Sequence, residues 1–538
     1  MNQYRDGPGR EFDRGQFGAA IVTISETTIV IAIVIAIVTT IVSTIVDSRI
    51  AARHHIGSTL PFLPMTSTQR RFLITFFIGL MAALAYLGFF HQPRNAEGSQ
   101  LRLEILELIE QGNHAEVSRR LADAYADIGI DGAGDRDLVV QMYAFSSSNP
   151  ELLPVLEAWI DAEPESTIAH LALGMHLRHL SHLRRGGELV GSTSAGQFSG
   201  MYDYAEKAAF HYRKAVELDD SNSLAWAFLA NLPSRLQPAD ATWDRVLNEH
   251  ARLSESAWYQ ALFKAQPKWG GSIFRLQALL DTLEQRVEDN PRLASLRGFD
   301  QFSIADEHFY DGNYQAAQAS CERAIMAGNH PRFRDMCAMA YRRLEDYPTA
   351  LEMIDEALAD APEDTGFFEE RARILRKMDR VDEALAMLNS SLRYDSHDPS
   401  TLQQKALYLL KLNRLDEALD ALETARVYGD DDTDLHALAS RVNYSAGYYE
   451  QAAKNARRAA ELAPNESYPL LRQAMAYNKL FDCPNLHDSL TAYLASCDLY
   501  QDCGDKNHAW AVEVLEIMQT HPACAAWQKA RQADSAEN

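Results

Sequence analysis

Cysteine is missing from the chain until Cys321, and the six that follow are Cys321, Cys337, Cys483, Cys497, Cys503 and Cys524. None is spaced CxxC, and no histidine pair stands at finger spacing, which argues against a zinc site. Four of the six fall in the last 56 residues. An even count clustered near one end suits disulfides in an oxidising compartment. Unpaired buried thiols are the other reading. Positive charge is also short: 51 Lys and Arg face 75 Asp and Glu, a net charge of -24. A polyanion needs a basic surface, so nucleic acid is excluded as the main partner. Catalytic signatures are absent, with no GxSxG and no HExxH. Gly186 and Gly191-Ser192-Thr193 imitate the spacing of a phosphate loop, but Ser192 stands where the lysine must be. His176, His179 and His182 recur every three residues, with His170 nearby. Two neighbours on a helix could hold a metal, but the third drifts round the face and no carboxylate in the stretch orients them. The plain expectation is a histidine-rich helix face with no metal and no cofactor.

What is present is a 34-residue period. Ala350, Ala384, Ala418 and Ala452 keep it, as do Ala357, Ser391, Ala425 and Ala459 seven residues on. Ala338, Ala372, Ala406 and Ser440 keep it twelve residues before. Small side chains at a fixed step of this size mark helices that cross closely in a solenoid of helix pairs. The expected fold is all-α, and solenoids mostly bind other molecules rather than transform them.

The N-terminus has a different character. Phe72 to Phe90 is free of charge, and as a helix it would span roughly 28 Å, close to a bilayer's hydrocarbon core. Arg70 and Arg71 precede it, which puts the bulk of the chain on the non-cytoplasmic side. In a Gram-negative cell that side is the periplasm. Ala83-Leu84-Ala85 would suit a cleaved signal peptide, but apolar residues continue to Phe90 and favour an uncleaved anchor. A second stretch, Thr27 to Val46, is apolar and almost entirely Ile, Val, Thr and Ala. It is either a first membrane helix or lies ahead of the true start, for which Met65 is the candidate.

The expected division is therefore 1–71, an N-terminal segment; 72–90, the anchor; 92–149, a juxtamembrane region with one helix over Leu101–Val117; 150–297, an irregular helical domain; 298–527, the repeats and a cap; and 528–538, a disordered tail. Gly186 to Gly200 reads as a loop, Tyr204 to Leu218 as a helix, and Ser221-Asn222 as the turn and cap that follow.

The 34-residue units resemble the tetratricopeptide repeat, with small residues at its positions 8, 20 and 27. Pro362 and Pro464 fall at its position 32, where Ser396 and Asp430 stand in the units between. Gly312-Asn313-Tyr314 and Gly447-Tyr448-Tyr449 match the turn between its two helices. About six units run from Phe299 to Leu494, followed by a capping helix that reaches about Trp527. Phe368 alone keeps the aromatic of position 4, and Arg371 and Lys405 depart from the apolar position 7. The resemblance implies a right-handed superhelix whose first helices line a concave, peptide-binding surface. Its inward positions 9, 12 and 13 hold Arg342, Arg343, Arg373, Arg376, Lys377, Lys411, Arg441 and Lys479, with no carboxylate in those columns. Two readings stand: a groove for an acidic peptide or a C-terminal carboxylate, or pairing with acids of the next repeat.

The middle region resembles a bacterial domain of unknown function often found beside such repeats. Arg185-Gly186-Gly187, Lys214 to Asn222, and Pro267 to Ser272 carry the likeness. The expected protein is thus a membrane-anchored, periplasm-facing scaffold or adaptor for a protein or peptide partner. The alternative is an enzyme or metal-binding protein with a site at residues 150–297, lined by His176, Arg185 and Trp269.

Overall fold

The computed structural model describes residues 96–529 apart from 127, 129–131, 133, 187–192, 430, 501 and 502. The expected anchor, the stretch before it, the phosphate-loop imitation and most of the tail lie outside the described residues. Among the described residues there is no strand, and no helix is long and apolar enough to cross a membrane. The chain from His91 onward forms one compact unit.

The first two helices correct an expectation. Leu101 to Val117 is not one helix but part of a hairpin, α1 (Ala96–Glu110) and α2 (His114–Ala126). Gly112 adopts φ 69° between them, and Asn113 N–H donates to the Leu108 carbonyl, closing α1. The apolar spacing continued across the break because both helices face the same core. Then come α3 (Asp135–Met142), α4 (Leu152–Ala162), α5 (Thr167–Arg185), α6 (Ala195–Leu218) and α7 (Ser223–Ala230). Helix α6 begins nine residues before Tyr204, inside the expected loop. Ser194 and Gln197 form a reciprocal capping box there, which outweighs the helix-weakening Gly196 and Gly200. Asn222 caps α7 as expected, accepting from Ala225 N–H at 2.9 Å. Close packing of α5 on α6 depends on Gly174, where a Cβ would fall 2.5 Å from the Tyr212 ring. Helices α8 (Glu255–Ala265) and α9 (Ile273–Glu284) complete this part.

Six helix pairs follow: α10 (Phe299–Tyr310) with α11 (Tyr314–Gly328), α12 (Pro331–Arg343) with α13 (Tyr347–Asp360), and α14 (Thr365–Lys377) with α15 (Val381–Ser391). The rest are α16 (Pro399–Lys411) with α17 (Leu415–Gly429), α18 (Thr433–Ala446) with α19 (Tyr449–Leu462), and α20 (Ser467–Leu480) with α21 (Cys483–Tyr500). Helix α22 (Asp505–Met518) caps the end. All twelve small residues of the three periodic columns are buried. The off-pattern Arg371 is explained by its exposed partner Asp355, 2.6 Å away.

The six cysteines form three disulfides, Cys321–Cys337, Cys483–Cys524 and Cys497–Cys503. The first ties α11 to α12, and the other two fasten the last repeat helix and the cap. The core has no seam at residue 297. One apolar cluster runs from Ile105 through Trp159, Tyr212 and Trp258 to Phe299, Phe333 and Cys337. The first repeat therefore belongs to the same core as α1–α9.

Candidate functional site

The eight basic residues of the expected lane divide into two groups. Six of them, Arg342, Arg343, Arg376, Lys377, Lys411 and Lys479, lie in the last turn of α12, α14, α16 and α20, whereas Arg373 and Arg441 lie further inside their helices. A cation there faces the negative end of the helix dipole, worth about 0.3–1 kcal/mol, so these positions have a structural use. Arg343 also lies over the Phe309 and Tyr314 rings at 5.9 and 5.6 Å, and Lys411 pairs with the exposed Asp379. Arg342, Arg373, Arg376 and Arg441 have neighbours within the repeats. Arg342 pairs with buried Glu370 from the next repeat. Arg373 pairs with Glu369 at 2.7 Å and Glu370 at 3.3 Å on its own helix. Glu369 further accepts from Ser400 and Thr401. Arg376 lies 5.7 Å from the Tyr408 ring, and Arg441 stands near Arg472, whose pKa is lowered by burial and, further, by that charge. Columns 9, 12 and 13 are free of acids from the second pair onward, the first pair carrying Asp306 there, and Glu369 and Glu370 reach Arg342 and Arg373 from other columns. Arg376, Arg441 and Lys479 show no carboxylate partner among the described residues.

A second assembly joins α1–α9 to the repeats. Arg102 is buried and donates to the Glu363 carbonyl at 2.9 Å, with its guanidinium 4.9 Å from the Tyr394 ring. Arg136 donates to the Asp360 carbonyl at 3.0 Å. Asp395, buried, accepts from Ser148 N–H at 2.9 Å and Ser148 Oγ at 2.8 Å, and from Ser147 Oγ at 3.3 Å. His179 Nε2 stands 3.7 Å from the same carboxylate and 3.0 Å from Ser148 Oγ. All three acceptors lie where a second helix turns into the next first helix. A carboxylate does therefore face one member of the histidine series, His179, but it arrives from 216 positions downstream, where no local motif could show it.

Between these contacts is a cavity of about 410 Å³. Its floor and walls come from α3, α5, α8 and the starts of α12 and α14. Tyr143, Phe228, Tyr259, Phe263 and Phe367 supply the apolar surface, and Arg136, Arg178 and Arg332 the cations. His179, His182 and His330 complete one side. Desolvation and then Arg178, His179, Lys264 and Arg185 lower the pKa of His182, although its side chain is exposed at the rim. Burial and then Arg332, Arg136 and Arg334 push His330 down to about 3. Both are neutral at neutral pH. Arg332 is matched by Asp364 at 2.6 Å.

The three residues expected to line a site do not meet there. His176 is buried against the Phe145 carbonyl, with Nδ1 at 3.2 Å. Arg185 donates to the Gly186 carbonyl, and Trp269 lies half exposed against Phe263. His170 instead pairs with His211, Nδ1 to Nδ1 at 2.9 Å. Among the described residues no group of three His, Cys, Asp or Glu is arranged to hold a metal ion.

A tetratricopeptide-repeat family model matches residues 337–399. The model of a domain of unknown function, DUF4034, matches residues 105–278. The second match reaches well ahead of residue 150, into the hairpin α1–α2. No curated protein matches the chain. Among solved structures, a TPR protein of Thermus thermophilus, TTC0263, is 20% identical over 34% of this chain and 99% of its own, with a TM-score of 0.30. YrrB, a TPR protein with an unusual peptide-binding site, is 19% identical over 35% of this chain and 95% of its own, with a TM-score of 0.28. Pseudomonas aeruginosa pilF is 14% identical over 42% of this chain and 100% of its own, with a TM-score of 0.36.

Proposed function

We propose that this protein is a non-enzymatic scaffold that holds a protein or peptide partner on its repeats. The observation that carries the reading is the run of six stacked helix pairs with tetratricopeptide-repeat character. Such stacks present an extended surface and are used for binding. The partner contacts fall on the unneutralised part of the lane, Arg376, Arg441 and Lys479, and fit an acidic segment or a C-terminal carboxylate. Arg342 and Arg373 serve the repeat packing instead. The chain is held by residues 72–90 in the inner membrane of a bacterium, with the repeats in the periplasm. Support for that compartment comes from Arg70 and Arg71 before the apolar run and from the pairing of all six cysteines.

The test uses the full chain, expressed in its membrane and cross-linked to its partners. Replacing Arg376, Arg441 and Lys479 together by Glu should abolish recovery of the cross-linked partner, and raised salt should weaken its capture by the wild type. Unchanged recovery from the triple variant would sink the basic lane.

A further inference from the structure

The guanidinium of Arg178 lines the cavity between α1–α9 and the repeats without a hydrogen bond or ion pair to any described residue. Its two fellow cations are committed, Arg136 to the Asp360 carbonyl and Arg332 to Asp364. Three carboxylates share the wall: Asp364 pairs with Arg332, Glu255 accepts from Ser295 Oγ at 3.1 Å through one oxygen while the other is buried without a hydrogen bond, and Glu363 gives its backbone carbonyl to Arg102. Arg178 and His182 are one turn apart on α5, so they share a face. Arg178 is thus a lining cation with no hydrogen bond or ion pair of its own among the described residues, and an anion placed in the cavity would pair it.

The rest of the cavity has a different character. Met175, Phe228, Tyr259 and Phe263 form apolar wall, and the Asn231–Gln260 amide pair, 2.6 Å apart, adds polar edge. A volume of about 410 Å³ lies within the range of small-molecule sites, and apolar walls with a few convergent polar groups are their usual composition. We propose that this cavity binds a small organic anion, a carboxylate or phosphate on an aromatic or similar apolar body, with Arg178 pairing the charged head. The planar fork of a guanidinium suits either head group. Because the walls come from both α5–α8 and the repeat helices α12 and α14, an occupant would also bridge the two parts. The inference is independent of the scaffold reading, since the lane and the cavity share no residue.

The experiment is titration of the full chain, followed by saturation-transfer NMR, with phenyl phosphate and phenylacetate as organic anions. Benzyl alcohol and inorganic phosphate are the neutral and bodiless controls. The expected result is binding of at least one organic anion and weaker binding of both controls. Arg178→Gln should reduce affinity by about tenfold or more, the loss of one charge-assisted pair. Arg178→Lys should keep part of it, and Lys479→Gln should keep all of it. Circular dichroism shows that each variant is folded, and Arg178→Lys carries the test should Arg178→Gln unfold. Absence of binding by both anions at millimolar concentration overturns the proposal. So does equal binding by Arg178→Gln, or binding of benzyl alcohol or inorganic phosphate as tight as phenyl phosphate.

Discussion

Position 345 needs a left-handed backbone and supplies a glutamate. Glu345 (φ 65°), Asp379 (φ 62°), Asn413 (φ 57°), Gly447 (φ 84°) and Phe481 (φ 55°) stand 34 residues apart, each between the first and second helix of a pair. Only one of the five is glycine, although glycine alone adopts this conformation without a Cβ penalty. The turn is imposed by the helices on either side, which must pack antiparallel after three or so residues. Glu345→Gly should therefore stabilise the protein by about 0.5–1 kcal/mol, the relieved strain less the added chain entropy. The midpoint of urea unfolding measures it, and a variant that is less stable than the wild type would refute the account. The periodic cations behave in the opposite way. Their column was plain in the sequence, but its meaning was not. Arg343, Lys377, Lys411 and Lys479 end helices, while Arg342 and Arg373 meet Glu369 and Glu370, and only coordinates tell an inward groove residue from a helix terminus.

At the scale of elements, the repeats were legible because their small residues report close helix crossings directly. Phe299 is the first residue of the first pair, and the sixth pair ends at Tyr500 rather than Leu494. The hairpin α1–α2 and the early start of α6 were missed. In one case apolar spacing ran across a glycine turn. In the other a capping box was hidden in a glycine- and serine-rich stretch. The cap at the C-terminus has its own prediction. Cys483–Cys524 closes a loop with a sequence separation of 41 around the last helices, whose core cluster is small and rich in alanine. A closed loop of this size is worth about 2–4 kcal/mol. Reduction should release residues 483–529 before the rest of the chain unfolds. Amide hydrogen exchange, followed with and without reductant, should show faster exchange there and little change in α14–α17, which no disulfide crosses. Uniform loss of protection would mean that the cap is not a separate cooperative unit.

For the whole molecule the deciding contacts are few and far apart in sequence. Asp395 accepts from Ser147 and Ser148 and faces His179, while Arg102 and Arg136 bind carbonyls of the neighbouring repeat turns. Asp395→Ala leaves these buried donors unpaired, at about 1–3 kcal/mol for each orphaned group. The variant should stay helical but lose protection against limited proteolysis between α1–α9 and the repeats, and the cavity beside His179 should open with it. An unchanged digestion pattern would show that the apolar core shared by Trp258, Phe299 and Phe333 holds the junction alone.

By itself the sequence determined the all-helical class, the 34-residue repeat, the number of helix pairs and the burial of the small columns. All of these follow from local periodicity, which a single chain displays in full. Tertiary structure alone decided which basic residues are neutralised, that α1–α9 and the first repeat share one core, and that a cavity with an unpaired arginine lies between them. Those features depend on residues brought together across as many as 261 positions, as with Arg102 and Glu363, and no spacing rule reaches that far.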